Sequence, residues 1–94
     1  MTAGVEVRQV GEGRFDVAVH ERGSETRHAV TMDGATFARL AGDTGITAEA
    51  FISAVFAFLL EREPRESILG RFDVTVVSRY FPEFETEIRH YFGR

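Results

Sequence analysis

FDVTVVSRYF, residues 72 to 81, is where two readings of the chain part. Its valines and threonine suit a strand. Yet Val74, Val77, Phe81, Phe84, Ile88 and Tyr91 recur at alternating spacings of three and four, the period of one helix face. The longer periodic run prevails, and the spacing predicts a helix over DVTVVSRY capped by Asp73. A bend at Pro82 then leads into a last helix, PEFETEIRHYF, with Pro82 at its first position. The preceding PRESIL reads as a helical turn or short helix. Phe81 and Phe84 are expected in the core, and Tyr80 at its margin where the hydroxyl reaches water. Glu83, Glu85 and Glu87 suit the positive end of the final helix. If the segment is instead a recognition element, Tyr80, Phe81 and Phe84 form the candidate partner surface.

Upstream of this stretch lies the most apolar part of the chain. Thr47 is placed to cap a long helix over about 47–63, AEAFISAVFAFLLERE, with Glu49 in its first turn and Pro64 ending the run. Between Ala48 and Leu60 only Glu49 and Ser53 are polar, so this helix must be covered on more than one side. Phe51, Val55, Phe58 and Leu59 form its expected core stripe. A sheet can cover one face; the C-terminal third or a second subunit must cover the other. Just before it, Asp33 is a plausible cap for a short helix, GATFARLAG, turning Phe37, Leu40 and Ala41 inward.

Residues from about 5 to 32 read as three strands. Phe15, Val17 and Val19 alternate with Asp16, Ala18 and His20, and His28, Val30 and Met32 continue the period of two. GEG and ERGSE supply the turns. Sequential strands with short connections pair antiparallel, so a three-stranded meander is expected, its wet face carrying Arg14, Asp16, His20 and Arg27. The expected fold class is therefore α+β: the meander, a short helix, the long apolar helix and C-terminal helices, in one domain spanning 1–94.

The chain has 94 residues, 44% of them hydrophobic, with nine phenylalanines and a net charge of −4. That composition excludes a disordered tail. All eleven basic residues are arginine, the mark of a GC-rich bacterial coding sequence rather than of guanidinium-specific recognition. Cysteine is absent, which excludes disulfides and thiol catalysis. The opening MTAGVEVRQV lacks an apolar signal core, making the cytoplasm the expected compartment, and the apolar run at 54–60 is too short to span a bilayer.

Candidate chemistry is thin. His20, His28 and His90 lie in different elements and show no metal-ligand spacing such as HExxH. On a helix Glu83, Glu85 and Glu87 cannot share one face, and Glu61, Arg62, Glu63, Arg65 and Glu66 read as a solvated helix end with local ion pairs. No serine or threonine sits in a nucleophile-elbow context, and GEG and GDTG are too short for phosphate loops. No catalytic, cofactor or metal residue is assigned, and no cofactor is expected.

From ESIL at 66–69 through RYFPEFETEI at 79–88, after a helix ending in LLERE, the chain resembles a group of small bacterial proteins of unassigned function. The resemblance implies a bacterial source and a stable domain. More loosely, residues 27–63, a strand, a short helix, GITAEAF and a helix ending in FLLERE, resemble ribbon-helix-helix repressors and antitoxins. That resemblance implies groove-facing contacts from Arg27, Ala29 and Thr31, or the opposite set with His28.

The leading expectation is a non-catalytic interaction or regulatory protein that self-associates, most simply as a homodimer. The excess of apolar helix surface between Phe51 and Leu60 points that way. A nucleic-acid-binding regulator of ribbon-helix-helix type is the alternative. A small metal- or carboxylate-dependent enzyme, whose histidines and glutamates converge on folding, is the second. No membrane partner is expected.

Overall fold

A computed structural model describes residues 4–93. The amino-terminal half forms β1 (Gly4–Gly11), β2 (Arg14–Glu21) and β3 (Ser24–Thr31), an antiparallel meander as the period of two predicts. Two tight turns set its register. At the first, Gly13 takes a φ of +68°, and a Cβ there would stand 2.7 Å from the Met32 carbonyl oxygen, so only glycine fits. At the second, Arg22 and Gly23 both adopt positive φ, matching the right-handed twist of the two-residue hairpin. Val17 pairs with Val7 on one side and His28 on the other. Phe15, Val17, Val19, His28 and Val30 are all buried, while Arg14, Asp16 and Arg27 face solvent and His20 is half-exposed.

Asp33 caps α1 (Gly34–Ala41) through the Thr36 N–H at 2.8 Å, and Thr47 caps α2 (Ala48–Leu60) through the Ala50 N–H at 3.1 Å. Leu40 and Ala41 of α1 are buried and Phe37 is half-buried. The second helix is shorter than the expected span of about 47–63. Its chain bends away at Glu61, whose N–H returns to the Leu59 carbonyl.

The carboxyl-terminal third departs from expectation. Arg71–Asp73 is a fourth strand, β4, parallel to β3 with Val30 opposite Phe72, giving the sheet order β1-β2-β3-β4. Asp73 then turns the chain. Its carboxylate accepts the Thr31 hydroxyl at 2.6 Å, the Thr75 hydroxyl at 2.7 Å and the Thr75 N–H at 3.0 Å. A 3-10 turn at Val74–Val76 and a single helical turn, α3 (Val77–Tyr80), follow. So residues 72–81 are strand first and helix second. The β-branched run Val74, Thr75 and Val76 resists a long helix, and Pro82 pushes Phe81 out of helical geometry, to φ −132° and ψ 89°. The expected last helix is likewise broken into α4 (Phe84–Glu87) and a 3-10 turn at Ile88–Tyr91, with Pro82 ahead of it rather than at its first position. PRESIL does form the expected helical turn, at Arg65–Ser67.

These short elements cover the face of α2 that the sheet leaves bare. Phe58 meets the rings of Phe81, Phe84 and Tyr91 at centroid distances of 5.9, 5.1 and 5.6 Å, all near edge-to-face. Phe56 packs against Phe72 and His28, and Phe51 against Phe37 and Phe92. Phe51, Ile52, Val55, Phe56 and Phe58 are fully buried within one chain. The apolar excess on this helix therefore gives no ground for a second subunit, which corrects the basis of the dimer expectation. The Cα radius of gyration, 12.3 Å, is close to the roughly 12 Å of a compact chain of this length. Among the described residues no helix is long and apolar enough to cross a membrane.

Candidate docking groove

Where α2 ends, neighbouring charged residues take opposite roles. Arg62 turns toward the carboxyl-terminal segment. Its guanidinium donates to Glu83 at 2.9 Å, to Glu87 at 3.3 Å, to the Tyr91 hydroxyl at 3.2 Å and to the Phe58 carbonyl at 3.1 Å, and it lies 3.6 Å from the Phe58 ring centroid. Tyr91 in turn donates to Glu61 at 2.7 Å. Burial disfavours the charged guanidinium, but Glu83 and Tyr91 outweigh it and hold the Arg62 pKa above its ordinary value. The Arg62 guanidinium in turn holds the Glu83 carboxyl below its own. Glu85 bonds to Arg39 at 2.6 Å.

Arg65 reaches across to the β2–β3 hairpin, bonding Glu21 at 2.6 Å and the Ser24 hydroxyl. Arg65 also makes the expected local ion pair, with Glu66 at 3.5 Å, but the bonds from Arg62 and Arg65 to distant segments are long-range staples that the sequence pattern does not suggest. They also give Glu83, Glu85 and Glu87 structural work.

Glu63 has no such partner. Its N–H closes onto Leu59 at 3.0 Å, but among the described residues its carboxylate meets neither a hydrogen-bond donor nor a cation. Burial pushes its pKa up. It sits in a concavity of about 320 Å³ floored by Leu59, Ile68, Phe72 and Val77 and walled by Leu69, Val76, Tyr80 and Phe81. That volume lies at the small end of the range found for ligand pockets.

The rim is apolar and exposed: Leu69 is 48% and Tyr80 66% accessible, two of the three large hydrophobic side chains left open on the described surface. It is also held from behind. His28 Nδ1 donates to the Leu69 carbonyl at 2.8 Å, and the Gly70 carbonyl accepts the Ala29 N–H at 2.8 Å. A carbonyl only accepts, so Nδ1 carries a proton, and Nε2 meets the Thr26 hydroxyl at 3.0 Å. Two hydrogen bonds thus tie the Leu69–Gly70 rim to β3.

The candidate partner residues divide. Tyr80 stands on the rim, Phe81 is half-buried between the groove and Phe58, and Phe84 is fully buried in the core. Glu63 and Leu69, which the sequence does not single out, complete the site. The groove-facing set of the alternative reading, Arg27, Ala29 and Thr31, does lie along β3. But Arg27 is held by Glu25 at 2.5 Å and Thr31 by Asp73, and over Ala29–Thr31 the strand is paired on both sides. A ribbon that pairs with a second subunit needs a free edge there.

The histidines do not converge. His20 lies between Glu6 at 3.0 Å and Glu25 at 3.1 Å on the open sheet face, His28 is buried on the other face, and His90 is exposed in the last turn. No group of three or more potential metal ligands comes together among the described residues.

A second, wider concavity of about 590 Å³ lies at the end of the sheet beside Asp33 and Asp73. Both carboxylates are occupied there. The Thr36 N–H holds the Asp33 pKa down; at Asp73 burial raises it, and bonds from Thr31 and Thr75 more than reverse that.

Fold and groove together define a small α+β domain with one largely apolar concavity beside the end of α2. Beyond that class, comparison with known proteins adds nothing: no protein-family model, curated protein or solved structure matches the chain.

Proposed function

We propose that this protein is a non-catalytic interaction or regulatory module that engages a protein surface through the groove around Glu63. The observation that carries the reading is the Glu63 carboxylate, which has no partner among the described residues. A half-buried charge without a partner destabilises the fold that holds it, whereas every glutamate around Arg62 is paired. Residues kept against stability mark functional positions. A preformed wall with exposed Leu69 and Tyr80 supplies the apolar contact that such interfaces place at their centre.

Methyl-resolved NMR tests this directly. Peptides selected for binding from a random library should shift the methyls of Leu59, Ile68, Leu69, Val76 and Val77 and leave those of Val19 and Ile52 in place. Shifts confined to another surface would overturn the reading.

A further inference from the structure

Around the groove the surface carries both halves of an ion pair. Glu63 is the unpaired carboxylate inside it. Arg79, exposed and directly preceding the groove-lining Tyr80 in α3, has no hydrogen-bond or ion-pair partner among the described residues; Arg14 and Arg22 share that condition but lie on the β1–β2–β3 meander, in elements that contribute nothing to the groove lining. Arg71 is exposed as well, but it alternates with Phe72 along β4 and so lies on the opposite sheet face. An exposed tyrosine preceded in the chain by an arginine, at the edge of an apolar groove that holds a carboxylate, the two charges without partners among the described residues, is a surface complementary to itself. Contacts of that kind close at two copies, because the same patch serves both partners.

We infer that the groove's occupant is a second copy of this chain, docked about a two-fold axis, with Tyr80 of each copy in the groove of the other and Arg79 of each paired with Glu63 of the other. The inference rests on the reading of the groove as a docking surface and supplies its partner. The free sheet edge offers a weaker alternative, since the carboxylate of Glu49 already takes the outward N–H of Gln9 on β1 at 2.8 Å. A standard interface covers about 800 Å² per partner, and this groove with its rim is smaller than that. Association is accordingly of the weak, transient kind found at the small end of protein interfaces.

Charge reversal tests the pairing. Sedimentation of the wild-type protein from about 10 µM to about 1 mM should pass from monomer to dimer. Glu63→Arg and Arg79→Glu should each weaken association at least about tenfold by setting like charges face to face. An equal mixture of the two variants should recover it, because the mixed dimer restores both ion pairs. Melts of each variant establish that it is folded; should either reversal fail to fold, Glu63→Gln and Arg79→Gln serve instead, each weakening association with no recovery on mixing. A wild-type protein monomeric throughout, reversals that associate as well as wild type, or a mixture that stays monomeric would overturn the inference. If the wild type is monomeric but selected peptides still shift the groove methyls, docking stands with another partner. If the groove methyls respond to nothing, docking itself fails.

Discussion

The chain has two tyrosines, and their surroundings divide the carboxyl-terminal third into two regions. Around Tyr91, 6% exposed, every polar group is engaged: its hydroxyl lies between Arg62 and Glu61, and its ring packs edge-on to Phe58. Around Tyr80, 66% exposed, neither the nearby carboxylate nor the neighbouring arginine has a partner among the described residues, and Leu69 stands open. Both regions draw on the same few residues after α2, with Arg62 facing one and Glu63 the other. The difference separates interactions that hold the fold from groups the fold holds at a cost. In the first region, removing a partner should damage stability; in the second, it should damage association alone.

The largest effect should come from the packed side. Phe58→Ala removes the ring on which Phe81, Phe84, Tyr91 and Arg62 all rest, and chemical denaturation should show a loss of about 3–5 kcal/mol. A loss below about 1 kcal/mol would take α2 out of the core. Next, Arg62→Met keeps the aliphatic stem but deletes the guanidinium, leaving Glu83, Glu87 and Tyr91 without their shared donor. A fall in melting temperature of roughly 5–10 °C is expected. The paired change Leu69→Ser and Tyr80→Ser lies on the open side. It should alter stability by no more than about 0.5 kcal/mol while abolishing self-association in sedimentation. A large loss of stability there would merge the two regions into one core.

The smallest effects separate, by sign, the Glu63 carboxylate from Asp73, a carboxylate that the β3–β4 turn engages fully. The Glu63 pKa is raised in the fold, so its contribution to stability is fully present below its unfolded value and lost as pH rises through the folded one. Glu63→Gln should therefore match wild type at pH 3 and melt slightly higher at pH 7 in dilute, monomeric protein. Asp73 behaves oppositely, its pKa being lowered by Thr31 and Thr75 against the effect of burial. Its stabilisation is present above the unfolded value and lost as pH falls through the folded one. Asp73→Asn should cost stability at pH 7, and the deficit should shrink below about pH 4. Equal slopes for the two variants would contradict the contrast.

How much of this was legible in the sequence depended on how local its cause is. Phe15, Val17 and Val19 announce a buried strand face, and Asp33 and Thr47 announce helix starts, because the groups they answer lie within a few residues. Residues 71–73 became a strand because β3 offers its edge from Ala29 to Thr31, and Asp73 turns the chain with help from a threonine 42 positions away. No periodicity within 72–91 contains that information. The groove was less legible still. Glu61 and Glu63 look alike in LLERE, yet one accepts a bond from Tyr91 and the other meets no donor among the described residues. Only the bend after Leu60 separates them. Tyr80, Phe81 and Phe84 were recognisable as a set, but the break at Pro82 sends Phe84 inward and leaves Tyr80 outside.

Because each region holds one tyrosine, a single reaction reads both. Tyrosine nitration followed by mass spectrometry, on protein diluted to about 10 µM and concentrated to about 1 mM, would report the two rings side by side. Tyr91 should stay unmodified at both concentrations, while Tyr80 should react readily in the dilute sample and become protected in the concentrated one. Equal reactivity of Tyr80 at both concentrations would contradict the groove as the surface of self-association, and reactivity of Tyr91 matching that of Tyr80 would contradict the division itself.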